Sequence, residues 1–231
     1  MKTTYGSFLK YLREERALPQ AEVAGRARMS RASYVAVEKG TKELTLAEAV
    51  ALTELFGISI DELLQSQAPN LLKYRQVILA FLRAAKTDRL VIKKTKLSRL
   101  LYLADFSWYY LHSTTLCNIA YRHTEFGAVS DTYFRLLEEM EQGGVISVKQ
   151  IYRDDYHMYE IEETRASQKT KLLTLTKKET THLEKIWTQW KEASTAEIVK
   201  FTNEQKPYLE SVPGEIIDYA LIKGEEAHTV Y

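Results

Sequence analysis

The chain has 231 residues, 45% of them hydrophobic and 27% charged, with few Gly or Pro, a globular composition that argues against disorder. That length fits one large domain or two smaller ones, and a formal net charge of +1 means that any site for a polyanion must be a local patch. A lone Cys117 excludes an internal disulfide framework; with no apolar leader in MKTTYGSFLKYLREER and no bilayer-length apolar run, the expected location is the cytoplasm, without membrane contact.

Helix signals come first. In a capping box a Ser or Thr accepts from the backbone N–H three residues on, and a Glu there answers back. Thr45 with Glu48, Ser59 with Glu62, Thr176 with Glu179 and Ser194 with Glu197 fit that pattern. Before residue 66 the periodicity predicts five short helices, about 5–15, 19–27, 31–38, 46–56 and 60–66, broken at Gly40 and Gly57. Pro19 can open the second, since its missing N–H would be unpaired there anyway. Within LPQAEVAGRARMSRASYVAVEKG, Val23, Ala24 and Ala27 point inward, Met29 plugs a turn and Ser30 caps the third helix. With Tyr34 and Val37 facing the core, Arg31, Ala32, Ser33, Val35 and Ala36 are left outside. Between residues 26 and 42, Arg26, Arg28, Arg31, Lys39 and Lys42 stand against a single acid, Glu38.

This stretch resembles the helix-turn-helix of the phage-repressor-like (XRE) family over about residues 5–66, with Glu38 and Gly40 matching its closing signature. Arg28 departs from the Gly that many relatives place in the turn. The resemblance implies DNA binding with Arg31, Ala32, Ser33, Val35 and Ala36 facing the major groove and Gln20 at a phosphate. Arg28, Ser30, Lys39 and Lys42 complete the candidate set. Arg31 alone among the groove residues can make a bidentate contact to guanine, whereas Ala32, Val35 and Ala36 can at most touch a thymine methyl. The competing reading is a five-helix module reused for protein binding.

SQAPN, residues 66–70, places a domain boundary, and Asn70 can cap the next helix. There LLKYRQVILAFLRAAK sets Leu71, Tyr74, Ile78, Phe81, Leu82 and Ala85 on one face; a second helix, about 94–112, turns Leu97, Leu100, Leu101, Ala104 and Trp108 inward. After a loop, Ser130 caps and Asp131 opens a helix that Gly143 and Gly144 end. VISVKQIY and YHMYEIEE, separated by Arg153, Asp154 and Asp155, read as a β-hairpin. Helices at about 177–192 and 195–204 come next, then a short one around EIIDYALI.

KLSRLLYLADF, residues 96–106, and FGAVSDTYFRLLEEMEQGGVI, residues 126–146, resemble in order two motifs of the SocA-like Panacea domain family, over about residues 70–225. The turn reads Gly127-Ala128-Val129 without the usual Pro, and FTNEQKPY stands where the family often carries a His. The resemblance implies an antitoxin domain that binds and neutralises a protein toxin encoded by an adjacent gene. Such interfaces are commonly anchored by a few aromatic or Arg side chains. Phe106, Trp108, Tyr109, Tyr110, Tyr121, Phe126 and Tyr133 are the candidates; with Phe134 they surround the two motifs, although each also fits a packed core.

The five His residues have no zinc spacing, FGAVSDTY is not a nucleophile elbow, and no Gly-rich phosphate loop is present, so no enzyme, metal site or cofactor is expected. The expected fold is mainly α: a five-helix helix-turn-helix domain, residues 1–66, followed by a mostly helical domain, residues 70–231, with one small β-hairpin. The expected function is a type II antitoxin that neutralises its cognate toxin and represses its own operator as a homodimer. The alternative is a prophage-type regulator whose C-terminal domain serves dimerisation or effector sensing. A winged helix over residues 131–163 is disfavoured by the hairpin's mixed charge.

Overall fold

A computed structural model of the chain describes residues 5–58, 60, 63, 69–153, 156–169 and 171–231. It divides into two units, Met1–Pro69 and Asn70–Tyr231, each with its own hydrophobic core.

The first unit holds α1 (Tyr5–Glu15), α2 (Gln20–Arg26), α3 (Arg31–Glu38) and α4 (Leu46–Phe56). Leu9 and Leu12, Val23 and Ala24, Tyr34 and Val37, and Leu52 and Phe56 are the stripes these helices bury against one another. Glycine at position 6 lets α1 approach the end of α3, because a Cβ there would run into the Val37 carbonyl. Between α2 and α3 the chain turns through Arg28, left-handed at φ 54°, and the Met29 N–H donates to Ala24 O at 2.9 Å. Arg28 thus takes the conformation a Gly would adopt more cheaply, at a cost of roughly 1–2 kcal/mol. The capping box of α4 is closed both ways: the Glu48 N–H reaches Thr45 Oγ1 at 3.2 Å and the Thr45 N–H reaches Glu48 Oε2 at 2.9 Å. The helix expected over 60–66 and the Ser59–Glu62 box lie largely outside the described residues; Ile60 and Leu63 are helical and Leu63 is buried.

The second unit runs α5 (Leu71–Thr87), β1 (Ile92–Lys93), α6 (Lys94–His112), β2 (Arg122–Thr124), β3 (Gly127–Val129), α7 (Asp131–Gln142), β4 (Ile146–Arg153), β5 (Tyr156–Glu163), α8 (Lys177–Trp190), α9 (Thr195–Asn203) and α10 (Lys206–Leu209). Asn70 caps α5 by accepting from the Lys73 N–H at 2.9 Å. The stripe expected on α6 is too narrow, because every residue from Lys96 to Trp108 is buried. Packed by α5, α8, α9 and the sheet, α6 is the axis of the unit. Several of its polar side chains find hydrogen-bond partners within the core. Lys96 Nζ donates to the carbonyls of Lys191 and Ala193, at 2.8 and 2.5 Å, beyond the end of α8; Asp105 accepts from the Cys117 N–H at 3.0 Å and the Tyr121 hydroxyl at 2.9 Å.

The hairpin β4–β5 forms as read, and β1 joins β5 to give an antiparallel sheet of order β1-β5-β4, with Ile161 opposite both Ile92 and Val148. Asp154 and Asp155, placed in its turn by the sequence, lie outside the described residues. The stretch read as a loop before residue 130 folds into a second, two-stranded sheet, β2 against β3. Three-residue strands are too short to show alternation. The segment around EIIDYALI is not an α-helix: Ile216 bridges to Arg122, and Tyr219–Gly224 is a 3-10 turn capped by Asp218. Ser130 precedes α7 but makes no capping bond, and its hydroxyl is buried without a partner among the described residues. No described helix is long and apolar enough to cross a membrane.

Candidate functional site

In the first unit, α3 is anchored from behind by Glu38. The Arg13 guanidinium donates to its carboxylate from Nε at 2.6 Å and from a terminal nitrogen at 3.3 Å, and the Gln20 amide donates at 2.8 Å. One buried carboxylate therefore joins α1, the start of α2 and the end of α3. That explains the closing Glu of the motif: it fixes how the helix pair is set. Gln20 was expected at a phosphate, but its amide is turned onto Glu38 and it is half-buried.

The outward face of α3 is sparsely equipped for reading bases. Arg31 and Ala32 are exposed, while Ser33, Val35 and Ala36 are half-buried. Ser30 accepts from the Ser33 N–H and donates to the Ser33 hydroxyl, both at 3.1 Å, so these two side chains are occupied in the cap. Of the flanking cations, Lys42 is held by Glu48 at 2.8 Å and Arg26 by Glu22 at 2.7 Å. Arg28, Arg31 and Lys39 are exposed and make no ion pair among the described residues. The basic patch facing solvent is therefore these three, fewer than the sequence count implied.

In the second unit the two motifs meet through Arg99. The side chain rises from α6, is 2% exposed, and donates to the Ala128 carbonyl at 2.5 Å and to the Phe126 carbonyl. It thereby clamps the turn between β2 and β3. Gly127, where β3 leaves that turn, has φ 102°, and a Cβ would collide with both the Arg99 guanidinium and Asn203 Oδ1. From the FTNEQKPY segment, Tyr208 adds a bond from its hydroxyl to the Thr124 carbonyl at 2.8 Å. Beside the turn opens a cleft of about 680 Å³, with Lys94, Arg99, Arg122, Phe126, Asp131 and Phe134 in its wall.

The aromatic candidates separate on burial. Phe106, Tyr121 and Tyr133 are 0–1% exposed and Trp108 9%. Phe106 stacks between Tyr102, at 4.3 Å, and Tyr219, at 4.4 Å, and the Tyr133 hydroxyl donates to the Lys94 carbonyl at 2.7 Å. These four belong to the core of the second unit: Phe106 and Trp108 lie on the enclosed α6, and Tyr121 and Tyr133 pack in the same cluster. Tyr109 and Tyr110 are half-buried beneath Lys223. Phe126 and Phe134 are exposed, at 74% and 43%, and both belong to the cleft. Sequence reasoning missed Arg99 and Lys94; the one signal for Arg99 was a cation inside an apolar run, RLLYLA, on a helix with no polar face to spare.

These features define a helix-turn-helix protein carrying a second, mostly helical domain built around a clamped turn and an open cleft. Residues 9–63 match the helix-turn-helix family model, and residues 97–208 match that of the antitoxin SocA-like Panacea domain. The chain is a DNA-binding, antitoxin-like regulator that joins an XRE-type domain to a SocA-like Panacea domain. No curated protein and no solved structure matches it.

Proposed function

We propose that the chain is the antitoxin of a type II toxin–antitoxin pair: it neutralises a protein toxin encoded beside it by direct binding, and represses its own operon as a homodimer. The observation that carries this reading is the pairing, in one chain, of the helix-turn-helix match with the SocA-like Panacea match. Neutralisation needs an interface that covers or distorts the toxin's working surface, and no chemistry on the antitoxin's part. Exposed Phe126 and Phe134 beside a cleft supply the apolar anchors such an interface uses. For the operator, Arg31 is the base reader and Arg28 and Lys39 are phosphate contacts, with dimer spacing and DNA shape adding discrimination.

The test is co-expression of the adjacent reading frame with and without this chain. Growth arrest by the neighbour alone, relieved by this chain and accompanied by a purifiable complex, is the expected result. A neighbour that is harmless on its own would sink the reading.

A further inference from the structure

The cleft wall carries more cations than acids: Lys94, Arg99 and Arg122 stand against Glu125 and Asp131. Arg99 is 2% exposed, its terminal nitrogens are taken by carbonyls, and its Nε–H has no acceptor among the described residues. Burial is the largest influence on its pKa, downward, and no carboxylate is among the groups that oppose it. Lys94, in the same wall, rests over the rings of Phe134 at 5.0 Å and Tyr159 at 5.5 Å, and makes no ion pair among the described residues. Of the wall's acids, Asp131 faces Arg122 at 3.8 Å and Glu125 is exposed. A buried cation without a counter-ion costs several kcal/mol, which an incoming anion would offset.

We propose that this cleft is the docking site for an acidic segment of a protein partner. A partner carboxylate pairs with Lys94, in a wall whose positive charge the enclosed Arg99 adds to, and an adjacent apolar side chain packs on Phe126 and Phe134. Asp131 and Glu125 disfavour a polyphosphate backbone, whereas a single carboxylate can pair with Lys94 without facing them at close range. The exposed aromatics at the cleft favour a polypeptide, since such side chains anchor protein interfaces. The partner's identity as a toxin rests on the function proposed above; the chemistry of the cleft does not.

Two arms test it. In the first, N-acetylphenylalanine, which joins a carboxylate to an aromatic ring, is titrated into the full-length ¹⁵N-labelled chain beside its neutral amide. Saturable shifts at the amides of Lys94, Phe126 and Gly127 are expected for the acid, weakened roughly tenfold by Lys94→Gln and absent with the amide. Equal response to acid and amide, or no response, overturns the proposal. In the second, Lys94→Glu and Phe126→Ala, checked for unchanged tryptophan fluorescence and thermal unfolding, are co-expressed with the adjacent reading frame. Loss of neutralisation supports the site. Full neutralisation by both variants overturns it while leaving the antitoxin reading intact, and would mean that any carboxylate bound in the first arm is a small free one. If the wild-type chain itself fails to neutralise, the antitoxin reading falls and the first arm still judges the cleft.

Discussion

Glu38 and Arg31 show how differently two charged residues of one helix can act. Glu38 points inward and pairs with Arg13 and Gln20, whereas Arg31 points outward and makes no ion pair among the described residues. Removing one partner of a buried, hydrogen-bonded ion pair leaves the other charge uncompensated. Glu38→Gln should therefore destabilise the first unit by about 3 kcal/mol. All three Trp residues lie beyond residue 70. The loss should accordingly appear in calorimetry or circular dichroism and be silent in tryptophan fluorescence. Arg31→Ala should leave both unchanged and weaken operator binding by ~1–3 kcal/mol, with relaxed preference at one base pair. Mobility-shift titrations on operator variants would measure this, and undiminished discrimination would show that α3 does not read there. The outward position of Arg31 was legible from the spacing of Tyr34 and Val37. The inward turn of Gln20 was not, because it depends on where Glu38, far along the chain, comes to lie.

At the scale of elements, local signals carried much of the fold. The boxes at Thr45, Thr176 and Ser194 close in both directions, because a cap needs only residues within one turn of each other. Glu179 also receives Lys73 Nζ at 2.7 Å, which ties α8 to α5. Thr176→Ala should thus cost about 1 kcal/mol, read as a lower denaturation midpoint in tryptophan fluorescence. Ser130 shows the limit of that reasoning: it stands where a cap belongs, yet its hydroxyl is buried without a bond among the described residues. Helix α6 shows another limit. A stripe of Leu gave its existence and length, but its enclosure on every side depends on α5, α8, α9 and the sheet converging on it. The strands β2 and β3 are too short for any periodicity and are set by the Arg99 clamp.

At the scale of the whole chain, buried titratable groups in the second unit make its stability depend on pH in two opposed ways. Burial pushes the Asp105 carboxyl up to about 7 from an ordinary 3.8, so between those values the unfolded chain gives up a proton that the folded unit keeps. Stability from this group falls as pH rises. Burial pushes His182, which lies 3.0 Å from Ser107 Oγ, down to about 4 from 6.5. Here the unfolded chain gains a proton that the folded unit refuses, and stability falls as pH falls. Asp105→Asn removes the first effect alone. The variant should gain stability relative to wild type as pH rises from 4 to 7, by on the order of a few kcal/mol. Urea unfolding followed by tryptophan fluorescence at the two ends would show this; a constant difference would mean that Asp105 is charged throughout.

By itself the sequence determined the longer helices, the caps at Ser30, Thr45, Asn70, Thr176 and Ser194, the hairpin, the helix-turn-helix stretch and the two ordered motifs of the second domain, since each depends on residues within a few turns of one another. Tertiary structure decided which charges and aromatics are available. Phe106, Tyr121 and Tyr133 vanish into the core, Lys42 is captured by Glu48, and Arg99 is closed over by a distant turn to leave a basic cleft beside Phe126 and Phe134. Exposure and ion pairing are properties of what a side chain meets across the fold, and those neighbours are fixed only when the whole chain packs.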